Sequence, residues 1–322
     1  HNTIKSMLTD ILRLFQGIGA FLIGMRLVSK SLSGVAGGKI EALFKKLGNN
    51  KLAAVGVGMG SAAVLQSSSA TTVILLGLVN SGIVSLFQAT CIIMGANIGT
   101  TVTAVILSFN SLPIAEIFAF SVFPGALLVM SAKKEKLKNI GKVLSGVGLI
   151  FIALDVIKAG AMDLKNSPGF VSFFSEIGSP FLLILIGIAF TAVIQSSSAL
   201  TGLILTLSEL GIMPVVSTFY IIMGSNVGSC ATAMLASVNG TPNMKRTALI
   251  HLAFNAIGLI IFLPFVVVFG QDVVDKLSML GEAALVAYFH VAFNLLTTVI
   301  LLPFVQRIAN FTTEIIKDPV KP

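Results

Sequence analysis

Two polar segments interrupt long apolar sequence at equivalent places in the two halves of the chain. The first reads Gln-Ser-Ser-Ser-Ala-Thr-Thr at residues 66–72, and the second reads Gln-Ser-Ser-Ser-Ala-Leu-Thr at residues 195–201. The apolar arms beside them hold only 9 to 15 residues, whereas a helix that crosses a bilayer needs about 20. Two short arms joined by a polar tip predict a re-entrant hairpin, at about residues 52–80 and again at about 180–211. Such a tip is tolerated at membrane depth only where protein or a water-filled cavity surrounds it.

Composition indicates that the whole chain belongs in a membrane. It is 55% hydrophobic and 11% charged, with a mean hydropathy of +0.99, whereas a soluble domain is about 25% charged. We therefore predict an all-α polytopic membrane protein. The net charge of +8 does not indicate a nucleic-acid partner, because the basic residues lie in loops between apolar runs. Cys91 and Cys230 lie inside apolar runs and imply no disulfide framework.

The two halves are related by one ungapped repeat. An offset of 129 residues places Gln66 on Gln195 and Gly17 on Gly146, and it holds over about 100 residues. Each half contains three full crossings and one hairpin that returns to its own side, so the second half enters the membrane from the opposite face. This predicts two inverted-topology repeats, the architecture of many secondary transporters.

The predicted organisation divides the chain into three parts. Residues 1–142 form the first inverted repeat, and residues 143–270 form the second. Residues 271–322 add a final extra span and a short tail.

Loop charge predicts the orientation. With the N-terminus outside, 15 Lys and Arg residues fall on the inner side and 5 on the outer side, and positive residues concentrate in cytoplasmic loops. We predict a multi-pass protein of the cell (inner) membrane, with the N-terminus outside and the C-terminus in the cytoplasm. The first hairpin then enters from the cytoplasm and the second from outside, so their tips face each other near the midplane.

The hairpin tips suit a small anion. The helix that begins after each tip points unpaired N–H groups and the positive end of its dipole at the tip, and the serine hydroxyls donate as well. Two converging tips therefore make an anion site without any buried lysine or arginine. The alternative is that Ser and Gly only allow close helix packing. Duplication of the segment at a single offset, with Gln leading both copies, favours the site.

Neutral oxygens near the tips suit a small hard cation such as sodium. One span of each repeat adds a Gly-x-Asn-x-Gly segment, at residues 95–99 and 224–228. Glycine at both ends predicts an unwound stretch with free backbone carbonyls; the alternative is a glycine kink whose Asn bonds a neighbouring backbone. A bound anion and sodium partly neutralise one another in a low-dielectric interior. The predicted sodium ligands are Gln66, Thr71, Thr72, Asn97, Thr100, Thr101, Gln195, Thr201, Asn226 and Ser229.

Few ionisable residues lie within the spans. Arg26 and Asp155 occupy equivalent repeat positions, where they pair or, as we favour, snorkel or bond separately. Glu209 ends the second hairpin, either as a gate or, as its place favours, as an exposed rim residue. His251 and His290 sit in twin His-x-Ala-Phe-Asn strings, where helix packing is favoured over proton transfer.

An enzyme is disfavoured. The sequence has no metal-spacing His/Glu cluster, and nothing places a catalytic base beside the serines. A channel is a second competitor, but it does not need two opposed hairpins. We therefore predict a transporter with no catalytic residues.

The duplicated Gln-Ser-Ser-Ser segments, each followed by a Gly-x-Asn-x-Gly span, resemble the sodium-dependent phosphate cotransporter family of the type II kind, in a bacterial form. The resemblance covers about residues 8–310. It implies alternating-access uptake of inorganic phosphate driven by sodium entry, with no cofactor beyond Na⁺ as the coupling ion. Carried over by motif, the implied phosphate ligands are Gln66, Ser67, Ser68, Ser69, Gln195, Ser196, Ser197 and Ser198.

The residues alone indicate only a sodium-type carrier of a small oxyanion. Another oxyanion or a small carboxylate is the alternative substrate, and an anion channel is a weaker alternative. The expected partners are phosphate, sodium ions and membrane lipid, without nucleic acid, and a homodimer stays open.

The charge asymmetry makes the orientation testable. A single cysteine introduced within residues 133–142 should react only with thiol reagents that reach the cytoplasm, and one introduced within residues 272–276 should react from outside. The measurement is labelling of intact cells with a membrane-impermeant reagent, before and after lysis. Labelling with the opposite sidedness would refute the predicted topology.

Overall fold

A computed structural model describes residues 2–165 and 178–318 of the chain, and within these ranges every regular element is a helix. Seven helical segments there are long and apolar enough to cross a membrane. This confirms an all-α chain, and the number of candidate spans equals the seven full crossings that the sequence predicts. The seven segments are Leu8–Lys45, Leu86–Ser111, Ile114–Ser131, Glu135–Met162, Val215–Ser237, Pro242–Leu280 and Glu282–Ile315.

The α-helices of the described residues are numbered in chain order. They are α1 (Asn2–Lys45), α2 (Lys51–Leu65), α3 (Ser68–Asn80), α4 (Leu86–Ser108), α5 (Ile114–Phe120), α6 (Val122–Ser131), α7 (Glu135–Leu164), α8 (Pro180–Ile194), α9 (Ser197–Glu209), α10 (Val215–Gly228), α11 (Ala231–Ser237), α12 (Pro242–Leu277), α13 (Glu282–Leu301) and α14 (Val305–Ile315).

Two pairs of short helices flank the duplicated polar segments. Helix α8 begins and ends 129 residues after α2, and α9 does so after α3. With 15 and 13 residues, the members of each pair are too short to cross a bilayer alone. Gln66 and Gln195 end the first helix of each pair in the left-handed region, with φ of 55° and 56°. The extended residues Ser67 and Ser196 then start the second helix.

The predicted unwinding of the first Gly-x-Asn-x-Gly segment is wrong. Helix α4 is continuous through residues 95–99. A Cβ on Gly95 would overlap the carbonyl oxygen of Val55 in α2, and one on Gly58 would overlap that of Ile92 in α4. The glycines therefore let two helix backbones touch, which is a packing role, and they do not free carbonyl groups.

In the second half, the break follows the motif instead of lying within it. Helix α10 runs through the motif to Gly228, and Ser229 and Cys230 form a turn with right-handed helical angles before α11 begins. A Cβ on Gly224 would overlap the carbonyl oxygen of Ile184 in α8. Residues 224–228 are thus helical and packed closely on α8, so the predicted unwinding is wrong for them, while the helix does break at Ser229 and Cys230, within the predicted interruption at residues 224–230.

Helices α1 and α7, which are equivalent in the repeat, pack against each other in opposite directions. A Cβ on Gly17 would lie 3.1 Å from the carbonyl oxygen of Ala153, and one on Gly146 would lie 2.9 Å from that of Gly24. Later residues of α1 therefore meet earlier residues of α7. The two contacts are also reciprocal, because the 129-residue offset exchanges one for the other.

The buried apolar side chains form two main clusters. One centres on α1, α7, α9 and α10, with Phe21 and Phe151 among its members. The other centres on α2, α3 and α4, with Met94 and Phe254 among its members. Helix α13 contributes Phe293 to the first cluster and its C-terminal residue to the second, so it joins the two halves.

Several helix ends differ from the predicted segment ends. The sequence predicts a first span over about residues 8–32 and a separate basic segment over residues 39–51, but helix α1 continues to Lys45 and includes most of that segment. The predicted repeat boundary at residue 142 falls inside α7, and the one at residue 270 falls inside α12. The connection at residues 166–177 and the chain ends at residue 1 and residues 319–322 lie outside the described residues.

The contact between α2 and α4 predicts a sharp difference between two neighbouring glycines. Gly58→Ala should lower the free energy of unfolding by about 1–3 kcal/mol, because the added methyl group meets rigid backbone. Gly60→Ala is the matched control, since a Cβ there has open space; it should be neutral or slightly stabilising, because Ala favours helix over Gly. Thermal unfolding of both variants, followed by helical circular dichroism in detergent, measures this. Equal melting temperatures would contradict the packing role.

Candidate functional site

One cavity brings the two polar tips together. Its volume is about 620 Å³, and it lies between α1 and the two short helix pairs. The cavity thus collects every residue that the motif implied for phosphate, from both halves of the chain. These lining residues are Gln66, Ser67, Ser68, Ser69, Gln195, Ser196, Ser197 and Ser198.

The first serine of each triplet caps the helix that follows. Ser67 Oγ accepts a hydrogen bond of 3.0 Å from the backbone N–H of Ala70, and Ser196 Oγ accepts one of 3.2 Å from Ala199. An N-cap satisfies one of the four N–H groups that a helix start leaves unpaired. The N–H groups of the next residues at each tip have no intrahelical partner and are available to a ligand.

The two tips differ in how firmly they are held. Gln66 Oε1 accepts a 2.8 Å hydrogen bond from Thr103 of α4, and Ser29 of α1 donates a 3.0 Å bond to the carbonyl oxygen of Leu65. Leu65 is fully buried. In the second tip, Gln195 is exposed and Val193 is 79% exposed. The first tip is therefore clamped between α1 and α4, while the second is open to the cavity.

The first tip also contacts the second half of the chain. Ser69 Oγ donates a 3.1 Å hydrogen bond to the carbonyl oxygen of Ser229, in the turn between α10 and α11. Ser229 Oγ in turn donates a 2.7 Å bond to the carbonyl oxygen of Asn226. The site is thus shared between the two halves and does not lie within one.

The predicted sodium ligands fall into separate places. Gln66 and Gln195 lie on the cavity wall. Thr71, Thr72 and Thr201 lie buried about one turn into α3 or α9, where their hydroxyls donate to carbonyl oxygens at the tips.

The other predicted ligands lie on the long helices. Asn97, Thr100 and Thr101 are buried in α4 and do not line the cavity. Asn226 belongs to a buried cluster, where its amide donates to Asn294 over 3.0 Å and its Oδ1 lies 3.2 Å from His290 Nε2. Among the described residues no group of three or more His, Cys, Asp or Glu side chains could hold a metal ion.

Comparison with known proteins identifies the family of this chain. The family model described as Na⁺/Pi-cotransporter matches residues 20–159 and matches again at residues 172–301. The chain belongs to the Na⁺/Pi-cotransporter family. Membership confirms the resemblance seen in the motifs, and with the seven apolar segments it establishes a multi-pass membrane protein. It also confirms phosphate transport as the family function and a transporter instead of an enzyme.

Relatives support this membership at moderate identity. Protein YqeW of Bacillus subtilis (strain 168) is 31% identical over 270 residues, which cover 84% of this chain and 86% of that protein. YjbB of Escherichia coli (strain K12), a protein named for inorganic phosphate export, is 32% identical over 313 residues, 97% of this chain. This chain spans only 56% of the length of YjbB.

A mammalian relative matches a shorter stretch. The mouse sodium-dependent phosphate transport protein 2C is 34% identical over 88 residues, which cover 26% of this chain and 15% of that protein. No solved structure matches the chain.

In this Na⁺/Pi-cotransporter family member, two cationic side chains line the cavity beside the tips. They are Arg26 and Lys30 of α1, and both side chains are exposed, so they do not contradict the expectation of a site without a buried lysine or arginine. Arg26 does not form an ion pair with Asp155, since the described residues show none between them. Arg26 stands out in the sequence because a charged side chain within a membrane span is energetically costly and therefore marks a candidate functional residue. Lys30 was missed as a site residue because in the sequence it counts only among the inner-side charges that set the orientation.

Glu209 differs from its expected surroundings. Glu209 is not freely exposed: its side chain is 16% exposed and lies 3.6 Å from Lys158 of α7. Lys165 at the end of α7 also bonds the carbonyl oxygen of Leu210. The base of the second helix pair is therefore fastened to α7.

The His and Asn side chains of the twin strings are buried in contacts between helices, and one string holds a predicted sodium ligand. Asn255 and Asn294 each donate a 3.0 Å hydrogen bond to the carbonyl oxygen of the histidine four residues earlier. His290 and Asn294 also hold Asn226, so α13 positions a predicted sodium ligand. No sequence signal pointed to this contact, because α13 lies outside the repeat.

Proposed function

We propose that this chain couples sodium entry to phosphate transport by alternating access, and that both polar tips bind one phosphate ion. The observation that carries the proposal is the single cavity lined by all eight residues of the two Gln-Ser-Ser-Ser segments. A carrier must hold its substrate between two halves that move relative to each other, and here each half supplies one tip.

The tips offer the groups that a tetrahedral oxyanion binds. Each helix start presents unpaired N–H groups and a positive dipole end, as anion sites at helix N-termini do. Ser68, Ser197 and Ser198 add hydroxyl donors, while the first serine of each triplet is engaged as the cap and Ser69 already donates to Ser229. The two starts therefore supply donors to one anion from opposite sides of the cavity.

The inverted relation of the halves supports alternating access. Helices α1 and α7 are equivalent in the repeat, yet they run antiparallel and make reciprocal contacts through Gly24 and Gly146. The family model also matches once in each half. Two repeats related by an axis in the membrane plane can exchange conformations, which moves access from one face of the membrane to the other. The short helix pairs are then re-entrant hairpins, one from each face.

Sodium is the proposed coupling ion. The residues beneath the tips are neutral oxygen donors, among them Thr71, Thr72 and Thr201, whose hydroxyl protons already bond carbonyl groups. Their oxygen lone pairs remain available to a hard cation. The mouse relative is named sodium-dependent, while YjbB is named for export. We propose uptake for this chain, because a carrier of this kind moves phosphate in the direction of sodium entry.

The membrane placement follows the charge asymmetry. We propose the inner membrane of a bacterial cell, the N-terminus outside and the C-terminus in the cytoplasm, because basic residues concentrate on one side. The exposed apolar surface of the spans then faces lipid. A homodimer stays a prediction.

Single serine substitutions test the shared anion site. Ser68→Ala and Ser197→Ala should each weaken phosphate binding, because each removes one donor to a charged ligand. A hydrogen bond to a charged group contributes about 1.5–3 kcal/mol, so affinity should fall about ten- to a hundredfold. Binding of labelled phosphate to purified protein at fixed sodium measures this. Melting temperatures without phosphate should change little, since a small hydroxyl is removed from a polar cavity.

The control is Ser81→Ala, at the far end of α3 and outside the cavity, which should bind phosphate like the wild type. Normal affinity with altered stability in the two tip variants would support a packing role for the serines. A loss of phosphate binding from one variant and of sodium binding from the other would refute a symmetric site and divide the two ligands between the tips.

The choice of coupling ion is tested by ion replacement. In proteoliposomes at fixed pH, replacing external sodium by choline should abolish phosphate uptake, because no carboxylate or histidine lines the cavity to carry a proton. Full uptake driven by a pH gradient without sodium would show that the coupling ion is the proton.

A further inference from the structure

We propose that Arg26 binds the phosphate oxygens directly and that Lys30 attracts the anion to the cavity. This inference rests on the proposed function, since it assumes that the cavity takes phosphate. It adds a third element, α1, to a site that the motifs assign to the two tips alone.

The two cations are placed for this role by helix geometry and one hydrogen bond. Residues four apart lie on the same face of a helix, so Arg26 and Lys30 share one face of α1. Ser29, between them in sequence, lines the same cavity and bonds the carbonyl oxygen of Leu65 at 3.0 Å. That bond holds this part of α1 directly against the end of α2, where the first tip begins.

Among the described residues, no acidic side chain pairs with Arg26 or Lys30. The cavity lining contains neither Asp nor Glu. Within residues 2–165 and 178–318, the structure shows neither an ion pair nor a side-chain hydrogen bond for Arg26 or Lys30. Other cations of the same chain do have carboxylate partners, such as Lys45 with Glu41 at 2.7 Å and Lys158 with Glu209 at 3.6 Å. Two uncompensated positive charges on a polar wall favour a bound anion.

The pair belongs to one half only. The 129-residue offset places Asp155 opposite Arg26 and Ala159 opposite Lys30, and neither counterpart lines the cavity. The donors at the two tips are duplicated, whereas the full charges are not. The anion is therefore drawn toward the α1 side of a site that is otherwise nearly symmetric.

The two side chains suit different tasks. A guanidinium group presents a planar fork that matches two oxygens of a phosphate, whereas an ammonium group acts as a flexible point charge. Together the two cations partly neutralise the negative charge of the oxyanion. They also repel sodium from the same part of the cavity. Sodium is then held by the neutral oxygens away from α1. The alternative is that both side chains only extend toward the membrane interface and touch no substrate.

Four variants separate these possibilities. Arg26→Gln should weaken the binding of labelled phosphate to purified protein about ten- to a hundredfold, the range for losing a charged hydrogen-bond partner. Arg26→Lys should recover part of the loss, because it keeps the charge but not the fork. Lys30→Gln should cause a smaller loss that shrinks as salt rises, because a long-range attraction is screened. Lys39→Gln is the matched control, since Lys39 is exposed on α1 outside the cavity.

Two further readouts exclude a general structural effect. Melting temperatures without phosphate should match the wild type in all four variants, and sodium binding without phosphate should not weaken in Arg26→Gln. If Arg26→Gln binds phosphate normally while Ser68→Ala does not, the role of Arg26 is refuted and the proposed function stands. A salt-independent or absent effect of Lys30→Gln refutes its attracting role. If the wild type does not bind phosphate at all, the proposed function itself fails.

Discussion

The helix starts that lie inside the protein constrain the rest of this structure. Helices α3 and α9 begin next to a cavity inside the protein, and every helix start leaves N–H groups without a partner. Lipid cannot satisfy them. One N–H group at each start is satisfied by the capping serine, Ser67 or Ser196. The remaining N–H groups at each helix start need water or a ligand as a partner. The cavity and the proposed anion both meet this need.

Close backbone contact holds these helix starts in place. Gly58 and Gly95 let α2 touch α4, and Gly224 lets α10 touch α8 in the equivalent position. Short helices of this kind have little apolar surface of their own. Their position therefore depends on packing against the neighbouring helix. The reciprocal contact of α1 with α7 then sets one helix pair opposite the other. The site is therefore a product of helix packing at several places outside it.

Elements outside the duplicated motifs make the two halves unequal. Helix α1 brings Arg26 and Lys30 to the cavity, and α13 brings His290 and Asn294 to Asn226. The first tip is clamped by Thr103 and Ser29, while the second is open. A carrier built from two similar halves can thus have one firmly held wall and one exposed wall in a given conformation.

The sequence by itself determined the helical class, the seven long apolar segments and the two short helix pairs. It did so because bilayer thickness requires long apolar runs, and because one repeat offset held through both polar segments. It also predicted that the tips meet, since an odd number of crossings inverts the second half.

Only the tertiary structure decided which faces of the helices come together. A glycine in a sequence is compatible either with an unwound backbone that frees its carbonyl groups or with a close contact between two helices. The carbonyl oxygen of Val55 lies so close to Gly95 that a Cβ would overlap it, which shows that this glycine serves a close contact. The sequence identifies Lys30 only as a charge on the inner side of the first span, and the bond between Ser29 and Leu65 then places its helix face on the cavity. Apolar length and periodicity identify a helix and its buried face, but the partner of that face depends on contacts between residues far apart in the chain.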